Sequence, residues 1–170
     1  MTTETTLTVV DAAPEDLEAV AELNNAAVPA VNALSAAEVA AIAAMGALRI
    51  VRSGDEISGL VMTVTEGQPY ASMNYRWFSG RFDSFLYVDR IVVAPAARGL
   101  GVGRALYRDT FARAAALGRP RVCAEVNVEP PNPVSMAFHA ATGFNVLLDR
   151  FNEEAGKTVR MMERPVGDPT

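Results

Sequence analysis

Six residues past the middle of the chain, Arg98-Gly99-Leu100-Gly101-Val102-Gly103, stand between an apolar run and a helical pattern. Glycines at such a point let the backbone come close to a phosphate. The first N–H groups of the following helix have no partners within the helix, and they point with the positive end of its dipole at an anion. The same glycines also suit a plain tight turn ahead of a capped helix, and the hexapeptide alone leaves both readings open. It is not a dinucleotide fingerprint, because G-x-G-x-x-G counted from Gly99 needs glycine where Arg104 stands, and no G-K-[ST] is present for a P-loop.

Two carboxylates interrupt apolar strand patterns, Asp89 in SFLYVDRIVV (84–93) and Glu125 in RVCAEVNV (121–128). A carboxylate in a central strand must be paired, hydrated or functional, because burying it alone is costly. Either can accept a proton, and either can instead be one end of an ion pair with Arg90 or Arg121. The single histidine, His139, falls in the last turn of a short helical pattern, where the dipole favours an imidazolium; the plainer reading is a residue that packs. The single cysteine, Cys123, reads as a small core residue. One Cys and one His supply neither an intramolecular disulfide nor a zinc-type ligand set, so no metal site is expected.

These residues need elements to hold them. The spacing predicts strands over about 6–10, 47–52, 57–65, 84–93, 121–128, 144–150 and 157–162, and helices over about 11–25, 35–45, 101–117 and 132–142. Ser35-Ala-Ala-Glu38 is a capping box, with Gly46 expected to stop its helix. Ser53-Gly54-Asp55-Glu56 signals a hairpin. Residues 66–83, with Tyr70, Tyr75, Trp77, Phe78 and Phe82 among Gly, Pro, Ser and Arg, read as a long loop. Apolar strands alternating with helices imply a mixed α/β (α+β) sheet of about seven strands flanked by four helices.

The 170 residues suit one domain spanning 1–170. Half are apolar and 21% are charged, enough to bury a core, with a net charge of −5 that argues against a general nucleic-acid binder. Charge is uneven: residues 1–50 hold seven acids, including Glu4, against Arg49 alone, whereas 90–121 hold seven arginines against Asp109 alone. That pattern fits a local site for an anionic ligand, and equally a solvated helix face. The first residues lack the features of a signal peptide, and the Ala-rich stretch 36–48 is too short to span a bilayer. The expectation is therefore a soluble, cytoplasmic protein with no membrane partner.

Two ordered motifs together resemble the GNAT superfamily of acetyl-CoA-dependent N-acetyltransferases. Val93-Ala94-Pro95 and Arg98-x-x-Gly101-x-Gly103 are similar to its strand end and pyrophosphate loop, [QR]-x-x-G-x-[GA]. Asn132-Pro-Val-Ser135-Met-Ala-Phe138-His139-Ala-Ala-Thr-Gly143-Phe144 is similar to its N-x-x-[AS]-x-x-[LF]-Y-x-x-x-G-F, with His139 in place of the usual tyrosine. The resemblance implies the GNAT fold, in which the strands holding Val93 and Glu125 splay apart and a pantetheine arm lies in the gap. Acetyl-CoA would then be bound by Ile91 and Val93, by the 98–104 segment (Arg98, Gly99, Leu100, Gly101, Val102, Gly103, Arg104), and by Asn132, Ser135 and Phe138.

Direct attack of an amine on a thioester needs a neutral amine, a donor for the oxyanion and a proton for the departing thiolate. The resemblance assigns the oxyanion to the Val93 N–H, the acid to His139 and the base to Glu125 or Asp89. It puts the acceptor among the first two helices, the 66–83 loop and the final hairpin, with Tyr70, Tyr75, Trp77 and Phe78 as a candidate aromatic wall and Asn25 beside it. The implied activity is acetylation of a primary amine on a small or amino-acid-like molecule. The alternatives are a non-catalytic acyl-CoA-binding module and a protein or peptide acetyltransferase. A homodimer is among the arrangements it allows.

Overall fold

The computed structural model describes residues 7–167, so Glu4 and Thr6 of the readings above lie outside the described residues. Seven strands alternate with helices along the chain: β1 (Val9–Asp11), α1 (Leu17–Asn25), α2 (Ala36–Ala43), β2 (Gly46–Ser53), β3 (Glu56–Thr65), α3 (Met73–Arg81), β4 (Leu86–Val93), α4 (Val102–Ala116), β5 (Arg121–Glu129), α5 (Pro133–Ala141), β6 (Asn145–Asn152) and β7 (Lys157–Pro165). The strands form one sheet in the order β1-β2-β3-β4-β5-β7-β6, antiparallel except where β4 meets β5. This is the expected mixed α/β fold, with five helices among the described residues where four were expected.

The additional helix is α3, inside the stretch read as a loop. Ser72 caps it, its Oγ accepting from the Tyr75 N–H at 3.2 Å. Tyr75 and Phe78, three residues apart, face the sheet and are fully buried, stacking near Phe85 and Tyr87 with ring centroids 5.6–6.4 Å apart. Nine residues with two inward aromatics present too little periodicity to be seen from sequence.

Two boundaries also move. Asp11 ends β1, and a 3-10 turn over Pro14–Asp16 precedes α1, so the first helix is shorter than expected. The Ser35 box forms as read, with Ser35 Oγ and Glu38 Oε1 each accepting a backbone N–H at 3.1 Å. Its helix ends before Gly46, which opens β2 instead of stopping α2. A Cβ there would lie 1.9 Å from the Thr63 carbonyl oxygen, so the glycine serves close strand approach.

The sheet divides the core. On one face α1, α2 and α3 cover Ile50, Leu60, Met62, Tyr87, Cys123 and Met161. On the other, α4 and α5 cover Val61, Leu86, Val122, Ala124 and Met162. Cys123 is buried in the first core, which pushes its thiol above the usual range. No helix among the described residues is long and apolar enough to cross a membrane.

Candidate active site

Parallel β4 and β5 are joined only at Leu86↔Val122 and Tyr87↔Cys123, so beyond those pairs the strands part. A cavity of about 720 Å³ opens in the gap, walled by Ile91, Val126, Tyr107, Ser135 and His139 on one side and by Tyr70, Asn74, Tyr87, Glu125 and the α1–α2 segment on the other. The pairing of β3 with β4 shifts between Met62↔Arg90 and Thr63↔Val88, leaving Asp89 bulged out of register. The Ala94 N–H bonds the Ser58 carbonyl at 2.8 Å across β3. Strand alternation therefore turns the backbone groups of Val93 and Ile91 to the opposite edge, toward the gap. Ile91 lines the cavity, whereas Val93 lies outside its wall.

The glycine segment has the backbone of an anion cradle. Gly99 and Gly101 have φ of +79° and +85°, a region that L side chains rarely adopt. The first helical bond of α4 runs from the Ala105 N–H to the Gly101 carbonyl at 3.0 Å, so the N–H groups of Val102, Gly103 and Arg104 precede it, at the positive end of a fifteen-residue helix. Val102 is buried and anchors the turn. Gly103 lets α5 close in, since a Cβ there would be 3.0 Å from the Phe138 ring. Arg98, Arg104 and Arg108 are exposed, as is Leu100, and among the described residues none of these arginines has a carboxylate partner. Asn132 caps α5, its Oδ1 accepting from the Ser135 N–H at 3.3 Å, and both residues line the cavity. These residues fit a pyrophosphate and a pantetheine arm: unpaired donors and cations at the loop, then exposed strand edges in the gap.

The two candidate carboxylates differ in how far they are already engaged. Asp89 is buried and taken on both oxygens, Oδ2 by Arg90 Nε at 2.7 Å and Oδ1 by the Tyr70 hydroxyl. Arg90 is held in turn by Asn24 Oδ1 (3.1 Å), Asn32 Oδ1 (2.9 Å) and the Asn32 carbonyl (3.1 Å), so the pair is a structural clamp on the α1–α2 segment. Glu125 accepts at Oε1 from the Tyr87 hydroxyl (2.7 Å) and Asn74 Nδ2 (3.1 Å), while its buried Oε2 has no partner among the described residues. Burial outweighs those two donors and pushes its carboxyl up to about 8.

His139 is buried on α5, contrary to the expected imidazolium at an open helix end. Desolvation there lowers its pKa more than the bond to the Ser135 carbonyl raises it. That bond, 2.7 Å from Nδ1, fixes the hydrogen on Nδ1, since a carbonyl only accepts; Nε2 is then the acceptor for the Tyr107 hydroxyl.

The expected aromatic wall is mostly core. Tyr70 reaches the cavity, but Tyr75 and Phe78 are buried beneath α3. The Tyr75 hydroxyl donates to the Thr65 carbonyl at 2.7 Å. Trp77 lies edge-on to Phe78 with Arg81 over its ring at 5.4 Å, and it does not line the cavity. Asn25 is likewise spent on structure, both ends of its amide bonding the Leu34 backbone at 2.8 and 3.0 Å. Trp77→Ala should therefore destabilise the fold by about 2 kcal/mol, as a partly buried large-to-small change, and leave the acceptor KM unchanged. Thermal melts beside steady-state kinetics check this. A raised KM at unchanged Tm would restore the residue to the acceptor site.

Asn74, Tyr87 and Tyr107 were not singled out from sequence. Tyr87 carried a signal, because it lies two residues before Asp89 and so on the same strand face. Asn74 had none without α3.

Comparison with known proteins agrees with this architecture. The description "Acetyltransferase (GNAT) family" matches residues 40–144, more than half of the chain. Among solved structures, phosphinothricin acetyltransferase from Sinorhizobium meliloti in complex with AcCoA is 24% identical at a TM-score of 0.72, covering 98% of this chain and 91% of its own. Naa20 from Chaetomium thermophilum in complex with a bisubstrate analogue is 23% identical at 0.73, covering 94% and 86%. Ard1 from Thermoplasma volcanium is 14% identical at 0.77, covering 95% and 99%. At these identities the likeness is one of fold. The search of curated proteins found no match.

The chain belongs to the acetyltransferase (GNAT) family. That membership makes it an acetyltransferase.

Proposed function

We propose that this enzyme acetylates the primary amine of a small, uncharged-to-cationic molecule. The observation that carries the reading is the buried, unpartnered Oε2 of Glu125 in the cavity between the parted strands. A carboxylate with a raised pKa and a free oxygen is suited to take a proton from an ammonium. Asp89, with both oxygens engaged, holds Arg90 instead.

The donor of this reading, acetyl-CoA, would supply an activated acetyl group when bound. The N–H groups of 102–104, with Arg98 and Arg104, would hold its pyrophosphate, and Asn132 and Ser135 would border its arm. The Ile91 N–H, on the cavity wall, is better placed than that of Val93 to meet the developing oxyanion.

Two features favour a small acceptor. Lys157 Nζ donates to the Pro29 carbonyl at 2.6 Å, tying the start of β7 to the α1–α2 segment across the acceptor end, where a peptide would need an open path. Among the described residues the cations lining the cavity are Arg90, neutralised by Asp89, and Lys157, whose ammonium is turned to the Pro29 carbonyl. Glu38 and Glu154, by contrast, stand at its rim. This supports a plain amine over an amino acid. Thiol release from acetyl-CoA should be driven by small amines, weakly by amino acids, and not by peptides with free N-termini. Turnover with peptides alone would replace this reading by a peptide acetyltransferase. Binding of acetyl-CoA without turnover of any amine would point to a non-catalytic module.

A further inference from the structure

We propose that Tyr107 is the proton donor to the departing sulfur and that His139 is the residue that positions its hydroxyl. The proposal rests on the acetyl-transfer reading above. At position 139 the chain has histidine where the sequence pattern has tyrosine, and the structure brings a tyrosine hydroxyl to the histidine's tip from α4.

With Nδ1–H committed to the Ser135 carbonyl, the neutral imidazole has no hydrogen on Nε2 to give. Within the pair, the remaining transferable hydrogen is that of Tyr107. The Tyr107 ring is fixed in place, stacked on Phe111 at 5.5 Å and edge-on to Phe144 and His139 at 5.3 Å each. Both residues line the cavity beside Ile91, where the strands part. A phenylalanine would keep every ring contact. What it would lose is the bond to the buried His139 Nε2, so some loss of stability accompanies the loss of the hydroxyl, and the rate effect is the reading that separates a donor from a packed residue.

The step balances. As the carbon–sulfur bond breaks, its electron pair stays on sulfur, and Tyr107 turns about its Cζ–Oη bond and gives sulfur its proton. Glu125 takes one proton from the ammonium before attack. The second nitrogen proton, lost as the adduct collapses to the amide, replaces through solvent exchange the one Tyr107 gave to sulfur. Glu125 releases its own to solvent through the cavity mouth, so the balance is one proton released per ammonium acetylated. The products are the amide and the free thiol. A thiol is a tolerable leaving group near neutral pH, so the help is modest, about 10²-fold, the low end for general acid catalysis.

Tyr107→Phe should lower kcat by about 10²-fold at unchanged acetyl-CoA affinity, which also shows that the variant is folded. His139→Ala should lower kcat by less. In the Tyr107→Phe background, His139→Ala should cost nothing further, because His139 acts only through the hydroxyl. In the free protein, ¹⁵N NMR of the sole imidazole should report the Nδ1–H tautomer, with the Nε2 signal moved by Tyr107→Phe.

Wild-type kcat in Tyr107→Phe would overturn the proposal. So would an independent loss from His139→Ala in that background, or an imidazole protonated on Nε2. An inactive wild type that still binds acetyl-CoA would instead remove the acetyl-transfer reading itself.

Discussion

Glu125→Gln is expected to reduce kcat/KM by about 10²–10⁴-fold, the range for a lost general base, and at the same time to raise Tm at pH 8. The two effects have one cause. The Glu125 carboxyl is pushed from 4.5 to about 8 by burial, so the folded protein holds a proton that the unfolded chain releases. Below pH 4.5 both states are protonated, and the contribution to stability is fully present. As the pH rises the unfolded chain ionises first, and the contribution is lost by the time the folded group ionises near 8. Glutamine stays neutral throughout. Its amide oxygen can accept from Tyr87 and Asn74 as Oε1 does, while its NH₂ takes the place of the unpartnered Oε2. The gain in Tm should therefore be near zero at pH 4.5 and grow to several degrees at pH 8, at about 2–4 °C per kcal/mol for a chain of this size. Wild-type kcat/KM should rise through pH 8, and the variant should lose that inflection. A variant with wild-type rate, or a Tm difference independent of pH, would transfer the base role elsewhere.

The parts of this site that sequence reasoning reached are those encoded locally. The glycines of 98–103 and the helix after them are neighbours in the chain, and their backbone geometry follows from residue type. Asp89 and Glu125 were visible because a charge in an apolar strand is an interruption. Which of the two is free was not visible, because the answer lies in partners far along the chain: Asn24, Asn32 and Tyr70 for the Asp89–Arg90 clamp, Asn74 and Tyr87 for Glu125. The aromatic wall failed for a related reason. Tyr75 and Phe78 belong to a helix too short to show a period, and once α3 forms they turn onto the sheet. Tyr107 carries no signal of its own in the sequence, and what distinguishes it in the structure is His139, 32 positions later.

Gly101→Asp should abolish measurable acetyl-CoA binding, while Gly101→Asn should keep most of it. Gly101 caps α4 in the left-handed region, at φ +85°, where a residue with a Cβ costs about 1–2 kcal/mol and Asn or Asp least among the others. The space is open: the nearest atom to a new Cβ is a Leu7 methyl carbon at 4.0 Å. Both variants therefore carry the same backbone penalty and nearly the same bulk, and they differ by one negative charge beside the N–H groups of 102–104. At about 4–5 Å from a phosphate in a partly shielded site, that charge opposes binding by roughly 3–4 kcal/mol, or at least about 10²-fold in Kd. The aspartate also suits the positive end of α4, so its Tm should equal or exceed that of the asparagine variant. Loss of binding in a protein at least as stable as its neutral control can only come from the anion site. Calorimetric titration with acetyl-CoA measures the difference, and equal affinities for the two variants would place the pyrophosphate away from this turn.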